Sequence, residues 1–349
     1  MSDTSAKPAR HSRRGLIIPF AIVGVLLAIW TGWWFYLADQ VETRLAAQTQ
    51  SLRDAGWQVS HEPVSVSGWP FRTRVAFPAA HVVAPSGHGV SASELVAEAN
   101  AWNPGRWMVI APEGLVLTRP GKGQMAIEGE ALRMSVSHLR DRFPDLRIEL
   151  ARPTFTPVAG AEPFPLASAE RVELYTRPHL TDGVAATDEM DVLFRLVEGR
   201  GRPGGPVEGA TQSGRLSAEI EMTIGQASRL RGVDSAGVFA SWTAAGGRFT
   251  GVRGRLQAGE SSARIASDAL WAREDGRLEG RLSLTAERPG EAIAGLAGSR
   301  SGAVDRAGAA GAAAAARVQG ERPIDLVLLF RDGRTWLGPF ALAPAPRLF

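Results

Sequence analysis

The chain has 349 residues, a formal net charge of +3 and no cysteine. Lack of cysteine excludes a disulfide framework, a thiolate metal site and a cysteine nucleophile. A charge this close to neutral, much of it carried by an N-terminal stub, is no footprint of nucleic acid, and no nucleic-acid partner is expected.

The first element is the run from Leu16 through Leu26 to Leu37, which holds no charged side chain. At about 1.5 Å per residue it reaches roughly 33 Å, enough for a hydrocarbon core of about 30 Å. Trp30, Trp33, Trp34 and Tyr36 gather at its exit end, where amphipathic rings favour a membrane interface. Lys7, Arg10, Arg13 and Arg14 precede it against Asp3 alone, while Asp39 and Glu42 follow it. That asymmetry predicts a single pass through the inner (cytoplasmic) membrane, with a basic stub over 1–15 in the cytoplasm, an anchor over 16–37 and the bulk in the periplasm. A cleaved signal peptide needs a shorter apolar stretch and small residues before the cut, so an uncleaved anchor is expected. A buried core helix is disfavoured by the absence of a polar face.

Residues 38–56 carry Val41, Leu45, Ala46 and Leu52 at helical spacing, with Gly56 as a stop, and predict a juxtamembrane helix. Beyond it, over 57–349, the pattern changes to short alternating runs separated by Gly, Pro and Asp-Gly. Residues 59–66, 72–77, 114–118, 124–136, 147–150 and 171–175 read as strands. Residues 263–270 and 277–286 form the clearest pair, with Leu278, Leu282 and Leu284 facing one way, and Asp275-Gly276 between them predicts a type I′ hairpin. Asp332-Gly333 predicts a second hairpin, joining residues 324–330 to 334–340. Helices are expected over Ser91–Asn100 and over Thr187–Val197, each opened by a capping hydroxyl. Residues 199–214 form a Gly/Pro-rich loop, the place where two domains would divide (about 198–214). Residues 295–320 are Ala/Gly-rich, a loose helix or a disordered stretch. The fold class is therefore mainly β with some α: a large curved antiparallel sheet partly covered by helices, behind one N-terminal transmembrane helix.

Three stretches resemble something known. Gly68-Trp69-Pro70-Phe71-Arg72, the run from Ala101-Trp102-Asn103-Pro104 to Ala111-Pro112, and the C-terminal Asp332-Gly333, Leu337-Gly338-Pro339 and Ala343 to Leu348 are similar to an alphaproteobacterial family of single-span envelope proteins. That family is described only as a domain of unknown function. The resemblance covers most of the chain in layout, departs from it in the Ala/Gly segment, and implies location and architecture but no activity, substrate or catalytic residue. From the residues themselves, Gly68 and Pro70 turn the chain while Trp69 and Phe71 bury against the sheet. Leu337-Gly338-Pro339-Phe340 reads as an edge strand ended by proline.

Catalytic patterns are missing. The six histidines are scattered, and no His-Glu-x-x-His accompanies His81 and His88. Ser235 lacks the glycine two positions before it that a nucleophile elbow needs, and Gly121-Lys122-Gly123 lacks the ending of a phosphate cradle. Asp188, Glu189 and Asp191 read as the charged first turn of a helix. Arg248, Arg253, Arg255, Arg264, Arg273, Arg277 and Arg281 read as a sheet's wet face, or more sharply as a basic surface for anionic lipid or an acidic polymer. No enzyme, metal or cofactor is expected. Two functions fit: binding or transport of a lipid or hydrophobic ligand in the envelope, or a scaffold that presents the sheet to another envelope protein without a small-molecule ligand.

Overall fold

The computed structural model describes residues 14–318 and 323–349. Residues 1–13 of the basic stub and the last two positions of the Ala/Gly segment lie outside the described residues. Helix α1 (Arg14–Asp54) runs unbroken through the predicted anchor and juxtamembrane segments. Its 41 residues make one rod roughly 60 Å long. Only 6% of its most apolar window is buried, which is the reverse of a core helix.

After the helix come β1 (Gln58–Ser60), β2 (Ser65–Ser67), β3 (Arg72–Val83), β4 (Gly89–Asn100), β5 (Asn103–Ile110), β6 (Leu115–Arg119) and β7 (Gly123–Glu128). They are followed by β8 (Ala131–Ser137), β9 (Asp145–Ala151), β10 (Thr154–Pro157), β11 (Leu166–Ser168), β12 (Arg171–Thr181) and β13 (Val184–Gly201). Helix α2 (Pro206–Thr211) precedes β14 (Leu216–Gly225), and α3 (Ala240–Ala244) precedes β15 (Arg248–Ala258), β16 (Ser261–Ala272) and β17 (Leu278–Glu287). Helices α4 (Pro289–Gly298) and α5 (Arg306–Val318) lead to β18 (Ile324–Arg331), β19 (Arg334–Leu337) and β20 (Phe340–Pro344).

All these strands join one antiparallel sheet. It forks at β4, whose C-terminal half pairs with β5 and whose N-terminal half pairs with β6. One branch continues β5–β8–β9–β12–β13, and the other continues β6–β7–β10–β11 and rejoins β13 near its end. The two branches clasp a core of Met125, Ile127, Leu132, Phe155, Leu166 and Leu196. From β13 the sheet proceeds strand by strand to β20, and β13 pairs directly with β14 across the Gly/Pro-rich loop. A second core, centred on the fully buried Trp242 with Phe249, Val252, Leu270 and Phe330, lies on the same apolar face.

Two predicted helices are strands. Residues 91–100 belong to β4, where Ala92, Val96 and Ala99 are all buried. A strand covered on both faces places buried residues at i, i+4 and i+7 by coincidence, and this imitates a helix. Residues 187–197 belong to β13, because Asp182 and Gly183, at φ +52° and +79°, form a type I′ turn that pairs Thr181 with Val184 and sends the chain straight back. Asp188 and Asp191 are therefore strand residues: Asp188 accepts from the backbone and hydroxyl of Ser228, and Asp191 from Thr223. The stretch 199–214 contains α2 within the expected loop, and 59–66 and 124–136 each break into two strands.

Both predicted hairpins exist, one of them with a change of type. Asp332 and Gly333, at φ +53° and +72°, form the I′ turn. At Asp275-Gly276 only the glycine is left-handed, and the loop has three residues, closed by Arg273 N–H donating to Arg277 O. Leu337-Gly338-Pro339-Phe340 does not end an edge strand. It turns into β20, with Leu337 opposite Phe340 and Gly338 at φ +57° in the first central position.

The Ala/Gly segment is helical for a packing reason. In α5 the buried Ala309, Ala312, Ala313 and Ala316 form one stripe facing the sheet's apolar side, with Ile324 and Leu337 beneath. A methyl group at Gly308 would sit 1.7 Å from the carbonyl oxygen of Ala341, and one at Gly295 of α4 would sit 1.8 Å from that of Gly209 in α2. Small residues allow backbones to approach this closely.

Candidate functional site

Where α1 leaves its apolar run, one of its faces meets the tips of two hairpins. Trp30, Trp34, Leu37, Ala38 and Val41 fall at helical spacing and pack on Val66 and the fully buried Ala101. The indole of Trp30 donates to Pro70 O at 2.8 Å and that of Trp34 to Arg72 O at 2.8 Å, while Trp33 reaches Ala101 O at 3.4 Å. These carbonyls belong to the turn before β3 and the Ala101-Trp102 turn between β4 and β5. The two turns are tied together, because Ala101 N–H donates to Phe71 O at 3.0 Å.

Gly68 makes the first turn possible. Its φ of +104° is a glycine conformation, and a Cβ there would lie 2.7 Å from Arg72 O. Trp69 and Phe71 do not bury against the sheet as expected; they are 49% and 62% exposed, and Trp102 beside them is 62% exposed. Phe71 and Trp102 meet edge to face with ring centroids 6.5 Å apart.

Behind these tips, α1 and the sheet flank an open-sided cavity of about 1260 Å³. Its apolar walls are Leu37, Val41 and Leu45 from the helix and Val75, Phe77 and Trp107 from β3 and β5, and Arg44, Arg106 and Arg140 supply positive charge against the single carboxylate of Asp141. The β8–β9 loop, residues 138–141, completes the lining. The recess is thus an apolar slot with a basic border beside a helix long and apolar enough to cross a membrane.

The opposite face of the sheet is charged. One row of directly opposed residues runs Arg133, Glu149, Glu173, Arg195, Glu219, Arg255, Arg264, Thr285 and Asp325 across nine strands, β8 to β18. Arg133 and Arg147 both bind Glu149, at 2.8 and 3.0 Å, and Arg195 bridges Glu173 at 3.1 Å and Glu219 at 2.8 Å. Burial pushes the Glu149 carboxyl up, but the hydrogen bond and charge of Arg133, with the charges of Arg147 and Arg171, outweigh it and hold Glu149 below the ordinary carboxylate range. Arg255 and Arg264 face each other with no carboxylate within salt-bridge reach among the described residues. The predicted wet face is real, and four of its arginines, Arg253, Arg255, Arg264 and Arg281, point out from it.

The remaining predicted residues separate into two places. Leu26 is 60% exposed on α1 and Tyr36 57%, while Leu37 is buried; Leu16 lies in the first turn of α1 and its side chain is outside the description. Asp332, Gly333, Leu337, Gly338 and Pro339 lie at the other end of the sheet order, where the C-terminal segment is pinned to the Asp275 hairpin by Arg347 donating to Asp275 O and Arg277 to Ala345 O. They share no site with the Gly68 turn. Sequence reading missed the recess and the charge row. The row had a signal, the repeated Arg-x-Glu of Arg147-Ile-Glu149 and Arg171-Val-Glu173 within strand patterns. The recess had none, because its walls come from segments far apart in sequence. Among the described residues no three His, Asp or Glu converge as a metal site would require.

A fold of this layout, one N-terminal helix long and apolar enough to cross a membrane joined to one long antiparallel sheet, defines a class of β-rich proteins. A family model described as an uncharacterized protein conserved in bacteria (DUF2125) matches residues 34–346, and the chain belongs to that family. No curated protein and no solved structure matches it.

Proposed function

We propose that this is a single-pass envelope protein, anchored in the inner membrane with its N-terminus in the cytoplasm and its sheet in the periplasm, that holds an anionic amphiphile from that membrane between α1 and the sheet. The cavity of about 1260 Å³ carries the reading. It is large enough for an acyl chain, is bordered by Arg44, Arg106 and Arg140, and lies beside the exit of the apolar helix. The proposal confines binding to this recess. Elsewhere the apolar face is filled by α2 to α5 and by the second branch of the sheet, and the open face is charged, so among the described residues the sheet offers no long apolar channel.

A photoactivatable phospholipid in proteoliposomes tests this. Crosslinks are expected on peptides containing Val75–Phe77 and Trp107, and crosslinking restricted to α1 contradicts it. A scaffold reading is favoured by one observation, the opposed and unpaired Arg255 and Arg264, which suit an acidic envelope partner. Crosslinking to a protein through that face, with no lipid in the recess, would support it.

A further inference from the structure

We infer that the Gly68–Phe71 and Ala101–Trp102 turns form a second membrane contact, seated at the boundary between headgroups and acyl chains in the same leaflet through which α1 emerges. This rests on α1 as a membrane anchor and is independent of what the recess holds.

The first argument is depth. Pro70 is bonded to Trp30, seven positions before the end of the apolar run at Leu37, or about 10 Å along the helix axis. That matches the depth to which amphipathic segments sink at the headgroup and acyl boundary, about 5–10 Å. The second is chemistry. Trp69, Phe71 and Trp102 expose large rings at the tips, with Arg72 following on a side chain 67% exposed that reaches Glu98. Aromatic rings with a basic neighbour favour the interface. The third is hydrogen bonding. Backbone carbonyls near hydrocarbon need a partner other than water, and Pro70, Arg72 and Ala101 each accept from a tryptophan of the anchor. Phe71 O accepts from Ala101 N–H. The carbonyls at the helix side of both turns are therefore satisfied before any lipid arrives.

Because the chain has no cysteine, a single probe can be placed without background. The full chain would carry one environment-sensitive fluorophore on Phe71→Cys, Trp102→Cys, Leu26→Cys or Glu260→Cys and be reconstituted in vesicles of phosphatidylcholine and phosphatidylglycerol. Glu260 lies in the β15–β16 turn, at the opposite ends of the strands from the tips. Lipids with a spin quencher near the headgroup are expected to remove emission at 71 and 102, lipids quenched deep in the chain to remove it at 26, and only aqueous iodide to act at 260. Quenching at 26 with 71 and 102 behaving like 260 overturns the proposal while leaving the anchor intact. Failure at 26 overturns both. Two independent tip sites guard against one substitution disturbing its own turn.

Discussion

The indole nitrogen of Trp34 lies 2.8 Å from the backbone carbonyl oxygen of Arg72, joining a buried ring on α1 to the first residue of β3. This bond and its neighbour from Trp30 set the separation of helix and sheet and so define the recess. Trp34→Phe keeps an aromatic ring, though a smaller one, and removes the donor, leaving the carbonyl without its partner at a cost of about 1–3 kcal/mol. Faster amide exchange over residues 71–75 in detergent-solubilised protein, relative to wild type, is the expected outcome; unchanged exchange would show that the indole bond does not hold the sheet to the helix.

At the Gly68 turn the requirement is conformational. Gly68→Ala forces a methyl group toward Arg72 O at a φ that alanine resists, so stability should fall by more than about 1 kcal/mol. A lowered thermal midpoint checks this, and an unchanged one would mean the turn relaxes freely.

Acid should weaken the charged face in a defined direction. Glu149 has its folded pKa below the ordinary carboxylate value of 4.5. Its contribution to stability is therefore fully present above that value and is lost as pH falls through the lower folded pKa. Arg133→Gln removes the main depressing partner, so the variant should be less stable near neutrality, by about 1–2 kcal/mol given the half-exposed arginine, and its stability should depend less on pH below 4.5. Denaturant titrations at several pH values measure both effects. Parallel pH profiles for the two proteins would contradict this assignment.

Close packing of α4 on α2 leads to a fourth expectation. Gly295→Val places a branched side chain where even a methyl group meets Gly209 O, and it should separate α4 from α2 at a cost of several kcal/mol, whereas Ala297→Val on the same helix serves as the control. Limited proteolysis of both variants tests it: equal resistance would show that the contact tolerates side chains.

Much of this architecture was legible in the sequence, and the errors have physical causes. The long N-terminal helix could be read because an uncharged run from Leu16 to Leu37 leads into helical spacing at Val41, Leu45 and Leu52, and the hairpins because Asp-Gly specifies a turn. Asp182-Gly183 carried the same signal, but the apolar spacing of Met190, Leu193, Phe194 and Val197 suggested a helix, and the turn outweighed it. Ser91–Asn100 misled for another reason: burial on both faces removes the alternation that marks a strand. For the Ala/Gly segment a loose helix and disorder stayed open, and helix is what forms, because composition does not report the closeness of Ala341 O to Gly308 that packs it. The recess lay beyond any local pattern, since Val41, Phe77, Trp107 and Arg140 meet only through tertiary packing.

The most direct test of an amphiphile in the recess is native mass spectrometry of the full chain, extracted from its membrane in mild detergent and followed by lipid analysis of the released species. One anionic lipid class bound near one per chain is predicted, and it should be lost from Leu45→Trp, which fills the slot, while the protein remains folded. A wild-type mass free of lipid, or binding that Leu45→Trp leaves unchanged, would contradict it.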